Sequence, residues 1–69
     1  MSASGLTFNK VKERSRVYTF AGGQTIRVDN VVSICIRPTN HRLETRDGRK
    51  FIIPGKFLAI EIDADGWSL

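Results

Sequence analysis

Lysine and arginine are the side chains best placed, by number and spacing, to do chemistry in this sequence. The chain has 11 of them against 7 Asp and Glu, which gives a formal net charge of +4. All of the basic residues lie within residues 1–56, whereas residues 57–69 carry only acidic charge. A basic body with a short acidic end predicts an anionic partner, most commonly nucleic acid. A basic surface that serves only solubility is the alternative.

Eight residues are candidates for contact with nucleic acid. Arginine and lysine side chains bind phosphate, and an exposed tyrosine beside an arginine offers a stacking surface for a base. Tyr18 and Arg27 are predicted to face each other and are candidates for such a pair, although the interpretation we favour for the aromatic side chains is that Tyr18 and Phe20 cover a second, smaller core. A two-stranded ribbon with a basic tip can also enter a major groove. The candidate nucleic-acid-binding residues are Arg14, Arg16, Tyr18, Arg27, Arg42, Arg46, Arg49 and Lys50.

Catalytic chemistry has little support in this sequence. His41 is the only histidine and Cys35 the only cysteine, and no cluster of carboxylates accompanies them. Nucleophilic and acid–base catalysis needs several positioned partners. A lone thiol between Ile34 and Ile36 is typical of a small core side chain. We therefore expect no enzyme, no cofactor and no small-molecule substrate.

The acidic residues near the end of the sequence match part of a calcium-loop pattern. Positions 1, 3, 5 and 6 of an EF-hand loop would be filled by Glu61, Asp63, Asp65 and Gly66. That loop also needs a glutamate at position 12, and the sequence stops at Leu69. We interpret the segment as a turn after which Trp67 folds back. We expect no metal, because a zinc site would need more Cys and His.

The basic cluster lies on a predicted β-hairpin around Asp47 and Gly48. A two-residue loop would place Arg46 opposite Arg49, and like charges opposed on a sheet are unfavourable. A three-residue loop closed by a left-handed glycine in a bulge pairs acid with base and aliphatic with aromatic. We therefore predict that Thr45 pairs with Arg49, Glu44 with Lys50, Leu43 with Phe51 and Arg42 with Ile52. Leu43, Phe51 and Ile53 would then share the inner face.

An earlier hairpin is predicted around Gly22 and Gly23, because paired glycines supply the positive φ angles of primed turns. This loop would pair Phe20 with Thr25, Thr19 with Ile26 and Tyr18 with Arg27. Residues 29–30 then interrupt the next strand as a turn or a bulge. The even positions 26, 28, 32, 34 and 36 are all Ile or Val. They predict one continuous core face across the interruption.

Five short β-rich segments, with no convincing helical periodicity, predict an all-β protein. The expected architecture is a small five-stranded antiparallel sheet or barrel, of SH3-like or Sm-like size, with a flexible basic N-terminal arm. Residues 1–14 form the predicted arm and residues 15–69 the predicted β-barrel domain. A basic ladder at every second position consists of Lys10, Lys12, Arg14 and Arg16. Its first two lysines could also be only a solvated leader.

The sequence has no signal peptide and no long apolar run, which predicts an intracellular, cytoplasmic protein that does not enter a membrane. A chain of 69 residues also builds only a small core, so its stability is marginal unless something supplements it. Oligomerisation through unpaired sheet edges is one such supplement and stays open.

Val31–Ile34 followed by Arg42–Phe51 resembles the later strands of LytTR-type DNA-binding domains, over barely half of the chain. No functional residue is transferred from that resemblance. The leading hypothesis is a small non-enzymatic protein that binds DNA or RNA, with a regulatory role as one option. It would contact phosphates through the basic hairpin tip and the arm. The alternative is a protein–protein interaction module, such as an adaptor, an inhibitor or an assembly subunit, that uses sheet edges and an apolar patch around Phe57 and Trp67.

Overall fold

The computed structural model describes residues 7–65 of the chain, and in this part the protein is built from β-strands. The five strands are β1 (Asn9–Thr19), β2 (Thr25–Ile36), β3 (Asn40–Thr45), β4 (Lys50–Pro54) and β5 (Ala59–Ala64), with one 3₁₀ turn at Ala21–Gly23. Every pairing is antiparallel, and the order across the sheet is β4-β3-β2-β1-β5. The predicted all-β class and five-stranded antiparallel sheet are therefore confirmed.

β1 begins before the predicted boundary between arm and domain. Asn9 already pairs with Ile34 on β2, so residues 9–14 belong to the sheet. The boundary predicted between residues 14 and 15 thus falls inside a strand, which the burial of Val11 in the core helps to anchor. The predicted flexible start of the arm and the predicted folding back of Trp67 lie outside the described residues.

The β3–β4 hairpin has the predicted register. Paired residues across it are Glu44 with Lys50, Leu43 with Phe51 and Arg42 with Ile52. Gly48 has a φ angle of +87°, which is the left-handed conformation that the bulged loop requires. The amide of Gly48 donates to the carbonyl of Thr45 at 3.0 Å, and the amide of Thr45 donates to the carbonyl of Arg49 at 2.9 Å. The three residues predicted to face inward all pack in or against the core.

The first hairpin differs from its predicted register by one residue. Tyr18 pairs with Ile26, so the prediction that placed Tyr18 opposite Arg27 is wrong. The amide of Phe20 donates to the carbonyl of Gln24 at 2.8 Å, which closes a longer loop in place of the predicted two-residue turn. Both glycines do have positive φ angles, but they lie inside this loop, where the 3₁₀ turn takes up extra residues.

β2 bends at Asn30, a non-glycine residue with a φ angle of +56°. Val28 and Val31 are both buried, although one position is even and the other odd. The bend therefore moves the buried face by one position. The expectation of one continuous even-numbered core face is wrong, because Ile26 and Ile36 are exposed. A left-handed residue breaks the regular alternation of a strand.

The core lies on the inner face of the curled sheet. It consists of Val11, Tyr18, Val28, Val31, Ile34, Leu43 and Ile53. β1 and β3 are not neighbours in the sheet, yet Tyr18 Oη lies 2.9 Å from His41 Nδ1. Phe57, which precedes β5, packs edge-on against both rings. The sheet therefore folds over its own inner face, and within residues 7–65 β4 and β5 remain its two edges.

Candidate nucleic-acid interface

Arg16 and Tyr18, two of the eight predicted contact residues, are fully buried. The pairing of β1 with β5 changes register between Glu13 and Ser15, and this places Glu13 on the same inner face as Arg16. The guanidinium of Arg16 donates two 2.8 Å hydrogen bonds to the carboxylate of Glu13 and one of 3.1 Å to Tyr18 Oη. Neither Arg16 nor Tyr18 is accessible at the surface, and the predicted stacking pair of Tyr18 with Arg27 does not form.

The same contacts extend to His41. Tyr18 Oη accepts from Arg16 Nη1 at 3.1 Å and lies 2.9 Å from His41 Nδ1, so the hydroxyl links the guanidinium to the imidazole. Burial lowers the pKa of His41, and the positive charge of Arg16 lowers it further. Burial raises the pKa of Tyr18 against the opposing effect of Arg16. Glu13, Arg16, Tyr18 and His41 therefore form one connected set of buried side chains. The set begins with the Glu13–Arg16 ion pair and ends at the imidazole of His41, whose lowered pKa favours the neutral form.

Arg14 and Arg27 are exposed, but carboxylates neutralise both. Arg14 Nη2 lies 2.8 Å from Asp63, and its Nη1 lies 2.8 Å from Asp65. Arg27 Nε lies 2.8 Å from Asp29. The hydrogen bond from Arg14 lowers the pKa of Asp63 below its usual range, and the charge of Arg14 adds to the effect. Neither Arg14 nor Arg27 therefore offers an unneutralised charge to an anionic ligand.

The tip of the β3–β4 hairpin carries Arg46 and Arg49, and both are exposed. Arg49 Nε donates to Asp47 at 3.0 Å. Asp47 also accepts a short hydrogen bond from the hydroxyl of Thr45, which is the main cause of its lowered pKa. Arg46 makes no ion pair with any described residue. The tip thus presents one neutralised and one unneutralised arginine.

Lys50 and Arg42 lie on the outer face of the hairpin. Lys50 Nζ is 3.7 Å from Glu44, a longer contact than in the other ion pairs. Arg42 is half-buried between Cys35 on β2 and Ile52 on β4. Its Nε has no hydrogen-bond partner in the described part of the chain. Cys35 is buried, as expected for a core-type thiol.

Ion pairing leaves a distinct set of basic side chains without a carboxylate partner. Across residues 7–65, every Asp and Glu except Glu61 is in an ion pair. The Lys and Arg side chains in no ion pair are Lys10, Lys12, Arg37, Arg42, Arg46 and Lys56. Arg37 and Lys56 lie at the end of β3 and β4 opposite the hairpin tip, beside the turn where the amide of Gly55 donates to the carbonyl of Thr39.

Part of this set meets in a surface groove of about 830 Å³. We call it the bulge groove and define it by Lys10, Lys12, Arg14, Asn30, Val32 and Arg46. The eight predicted contact residues did not include Lys10 and Lys12, which were placed in the predicted flexible arm. Their alternate spacing was the available signal, since on a strand it puts them on one face.

Other kinds of site find no support in the described residues. No three His, Cys, Asp or Glu side chains between residues 7 and 65 come together as a metal site. A second recess, of about 490 Å³, is lined by Phe20, Gln24, Thr25, Ile26 and Pro54 and contains no ionisable side chain. The same part of the chain contains no helix of the length and hydrophobicity needed to cross a membrane.

No protein-family model matches this chain, and comparisons with curated proteins and with solved structures find no significant match. The resemblance of two segments to LytTR-type domains therefore stands without a family match.

Proposed function

We propose that this chain is a non-enzymatic protein that binds nucleic acid through its phosphates. The observation that carries the proposal is the uneven pairing of charge. Carboxylates neutralise Arg14 on β1 and Arg27 on β2, whereas Lys10 and Lys12 near the start of β1 and Arg42 and Arg46 on the β3–β4 hairpin are in no ion pair with a described residue. Phosphate oxygens would supply the missing counter-charge. The proposed interface, called here the basic surface, consists of Lys10, Lys12, Arg42, Arg46, Arg49 and Lys50.

Arg49 and Lys50 belong to this surface although each has a carboxylate partner. Their side chains are 68% and 76% exposed, and exposed ion pairs contribute only about 0–1 kcal/mol. A phosphate can therefore replace either carboxylate at little cost. Since Tyr18 is buried, it offers no stacking surface to a base. Affinity would come mainly from phosphate contacts, which position a nucleic acid but do not read its sequence.

Binding titrations over a range of salt concentrations test this proposal. Labelled duplex DNA, single-stranded DNA and RNA are titrated with protein, and fluorescence anisotropy reports binding. The logarithm of the association constant should fall with the logarithm of salt concentration. The expected slope is about −0.9 per phosphate contacted on a duplex and about −0.7 on a single strand. Absence of binding to every probe at low salt would overturn the proposal.

A triple variant distinguishes interface residues from structural ones. Replacing Arg42, Arg46 and Lys50 by Ala should weaken binding. Arg46 and Lys50 are exposed, and surface substitutions away from packed features cost about 0.5 kcal/mol or less, so any larger fall in the thermal unfolding midpoint would come from the half-buried Arg42. The control is Arg37→Ala with Lys56→Ala, which removes two unpaired cations from the other end of the strands. A loss of thermal stability that matches the loss of binding would assign the three residues to the fold.

A protein–protein module is the second candidate, and the two sheet edges favour it. Ile52 on β4 is 63% exposed and Leu58, just before β5, is 73% exposed. Unpaired edges recruit further strands. Phe57, predicted to form part of an apolar patch, packs against the core instead, and Trp67 lies outside the described residues. A mass that rises with concentration in light scattering, without co-purified nucleic acid, would favour this second candidate.

A further inference from the structure

The bulge groove lies where the ladder between β1 and β2 is interrupted. Two residues of β1, Val11 and Lys12, face the single residue Val32 of β2. The pairing of β2 with β3 also changes register at this level. Bulges of this kind bend a strand and redirect its side chains. Both ladders therefore open at the same place, and the recess forms there.

Cations line the bulge groove from both sides. Lys10 and Lys12 come from β1, whereas Arg46 comes from the hairpin tip on the far side of β2. The amide of Arg46 donates to the carbonyl of Asn30 at 2.9 Å, which holds the tip against the bend of β2. Val32, which is half-buried, contributes apolar surface between the two sides, whereas Val31 is fully buried in the core. The groove thus combines one aliphatic side chain at its floor with basic walls.

The carboxylates that line the groove are already engaged. Glu13 is paired with Arg16 inside the core, at 2.8 Å. Asp65 is paired with Arg14 at the rim, also at 2.8 Å. Neither carboxylate therefore neutralises the three wall cations, Lys10, Lys12 and Arg46. An anion that enters the groove meets positive charge from two directions.

We infer that the bulge groove binds a short segment of single-stranded nucleic acid, an inference that rests on the proposed function. Its volume of about 830 Å³ falls within the roughly 300–1,000 Å³ of typical ligand sites. One strand can pass between basic walls, whereas a duplex carries its phosphates on the outside of a thicker, convex body. Unpaired bases can also contact Val32, while a duplex keeps its bases stacked inside. None of the described lining residues is aromatic, so binding would depend on phosphate contacts rather than on base stacking, and phosphate contacts do not read the sequence.

Oligonucleotides with the same number of phosphates provide the test. The probes are single-stranded oligothymidine, single-stranded oligouridine and a mixed-sequence DNA duplex, each titrated by fluorescence anisotropy. The first two separate DNA from RNA as the source of the strand. The groove variant carries Lys12→Gln and Arg46→Gln. The matched control carries Arg37→Gln and Lys56→Gln, which removes the same two residue types at the opposite end of β3 and β4.

We expect the unmodified protein to prefer the single strands to the duplex. The groove variant should bind single strands about tenfold more weakly, from two exposed contacts of up to about fivefold each. Its salt slope should become shallower by about 0.7 for each phosphate contact removed. The matched control should change the affinity by less than about twofold, although its net charge falls equally.

Four results would overturn the inference in distinguishable ways. Equal weakening by the two double variants, or a preference for the duplex, would reject the groove and leave nucleic-acid binding standing. No binding of any probe by the unmodified protein would reject the proposed function itself. Thermal melts followed by circular dichroism should be the same for both variants. A melt lowered only in the groove variant would assign Lys12 and Arg46 to stability rather than to binding.

Discussion

Arg14 and Arg16 lie two positions apart on β1 and have opposite environments. The side chain of Arg14 is 57% exposed, whereas that of Arg16 is fully buried against Glu13. An exposed ion pair contributes about 0–1 kcal/mol, because water screens it and both side chains lose freedom. Breaking a buried pair leaves a charge without compensation and costs about 3–5 kcal/mol. The same residue type is thus a surface charge at one position and a structural requirement at the other.

We expect Glu13→Gln to lower the free energy of unfolding by about 3–5 kcal/mol, because it leaves the Arg16 guanidinium buried without a counter-charge. Asp29→Asn is the matched control, since it makes the same chemical change in the exposed pair with Arg27. Its expected cost is about 0.2–1 kcal/mol. Urea unfolding followed by circular dichroism measures both.

Similar small losses in the two variants would contradict the burial of the Glu13–Arg16 pair. A small domain has a total stability of only about 5–15 kcal/mol, so Glu13→Gln alone could leave too little folded protein to measure. The double variant Glu13→Gln with Arg16→Met removes both charges. It should regain much of the lost stability, because replacing both partners of a buried pair by less polar residues of similar size is often neutral.

The two hairpins show which elements the sequence could predict. In the β3–β4 hairpin the charges of Glu44 and Lys50 and the single turn glycine all favour one register, and that register is observed. Positive φ angles at Gly22 and Gly23 are compatible with hairpin loops of several lengths, so the sequence did not determine the length of this loop. The sequence showed that β2 is interrupted near Asn30. It did not show that the buried face of the strand shifts by one position after the interruption.

Only the part of the candidate site formed by residues close together in the sequence could be predicted. The hairpin tip brings Arg46 and Arg49 close together through a loop of a few residues, which the sequence shows directly. Arg14 is neutralised by Asp65, which lies 51 positions away along the chain, and that contact depends on β5 pairing with β1. The groove depends on bulges in two adjacent ladders, which no local pattern specified.

Gly48 tests how firmly the hairpin depends on its turn. A Cβ added there would meet no atom within 4 Å, so Gly48→Ala should act through the backbone alone. The left-handed conformation costs a residue other than glycine about 1–2 kcal/mol, and we expect the free energy of unfolding to fall by that amount. Gly48→Asn should cost less, because asparagine tolerates this conformation. Equal losses in the two variants, measured by urea unfolding, would contradict the left-handed turn.

The strand order explains the charge asymmetry of the whole molecule. β5 pairs with β1 at one edge of the sheet and brings Asp63 and Asp65 to Arg14. β4 forms the opposite edge, so the hairpin that contains it receives none of this acidic charge. The basic surface therefore follows from topology as much as from composition. A different strand order with the same sequence would pair these charges differently.

The curled sheet also makes the stability of the whole molecule depend on pH through His41, which contacts Tyr18 across the core. Burial and then the charge of Arg16 lower the pKa of His41 below its ordinary value of 6.5. As pH falls through about 6.5, the unfolded chain takes up a proton that the folded protein excludes, so the free energy of unfolding decreases. The pKa values of Asp47 and Asp63 are also lowered, but these groups reduce the stability only as the pH falls toward and below their ordinary pKa of 3.8. Thermal melts at pH steps between about 8 and 5 should therefore show a falling midpoint.

His41→Gln is the control for this pH dependence, because the glutamine amide can still form a hydrogen bond with Tyr18 but does not titrate. The variant should have a nearly constant melting midpoint over the same pH range, even where its absolute stability differs. One proton can change the free energy of unfolding by at most about 1.4 kcal/mol per pH unit. A steeper fall, or an equal fall in His41→Gln, would show that other groups cause the change. An equal fall would also contradict a His41 pKa that burial and the charge of Arg16 lower.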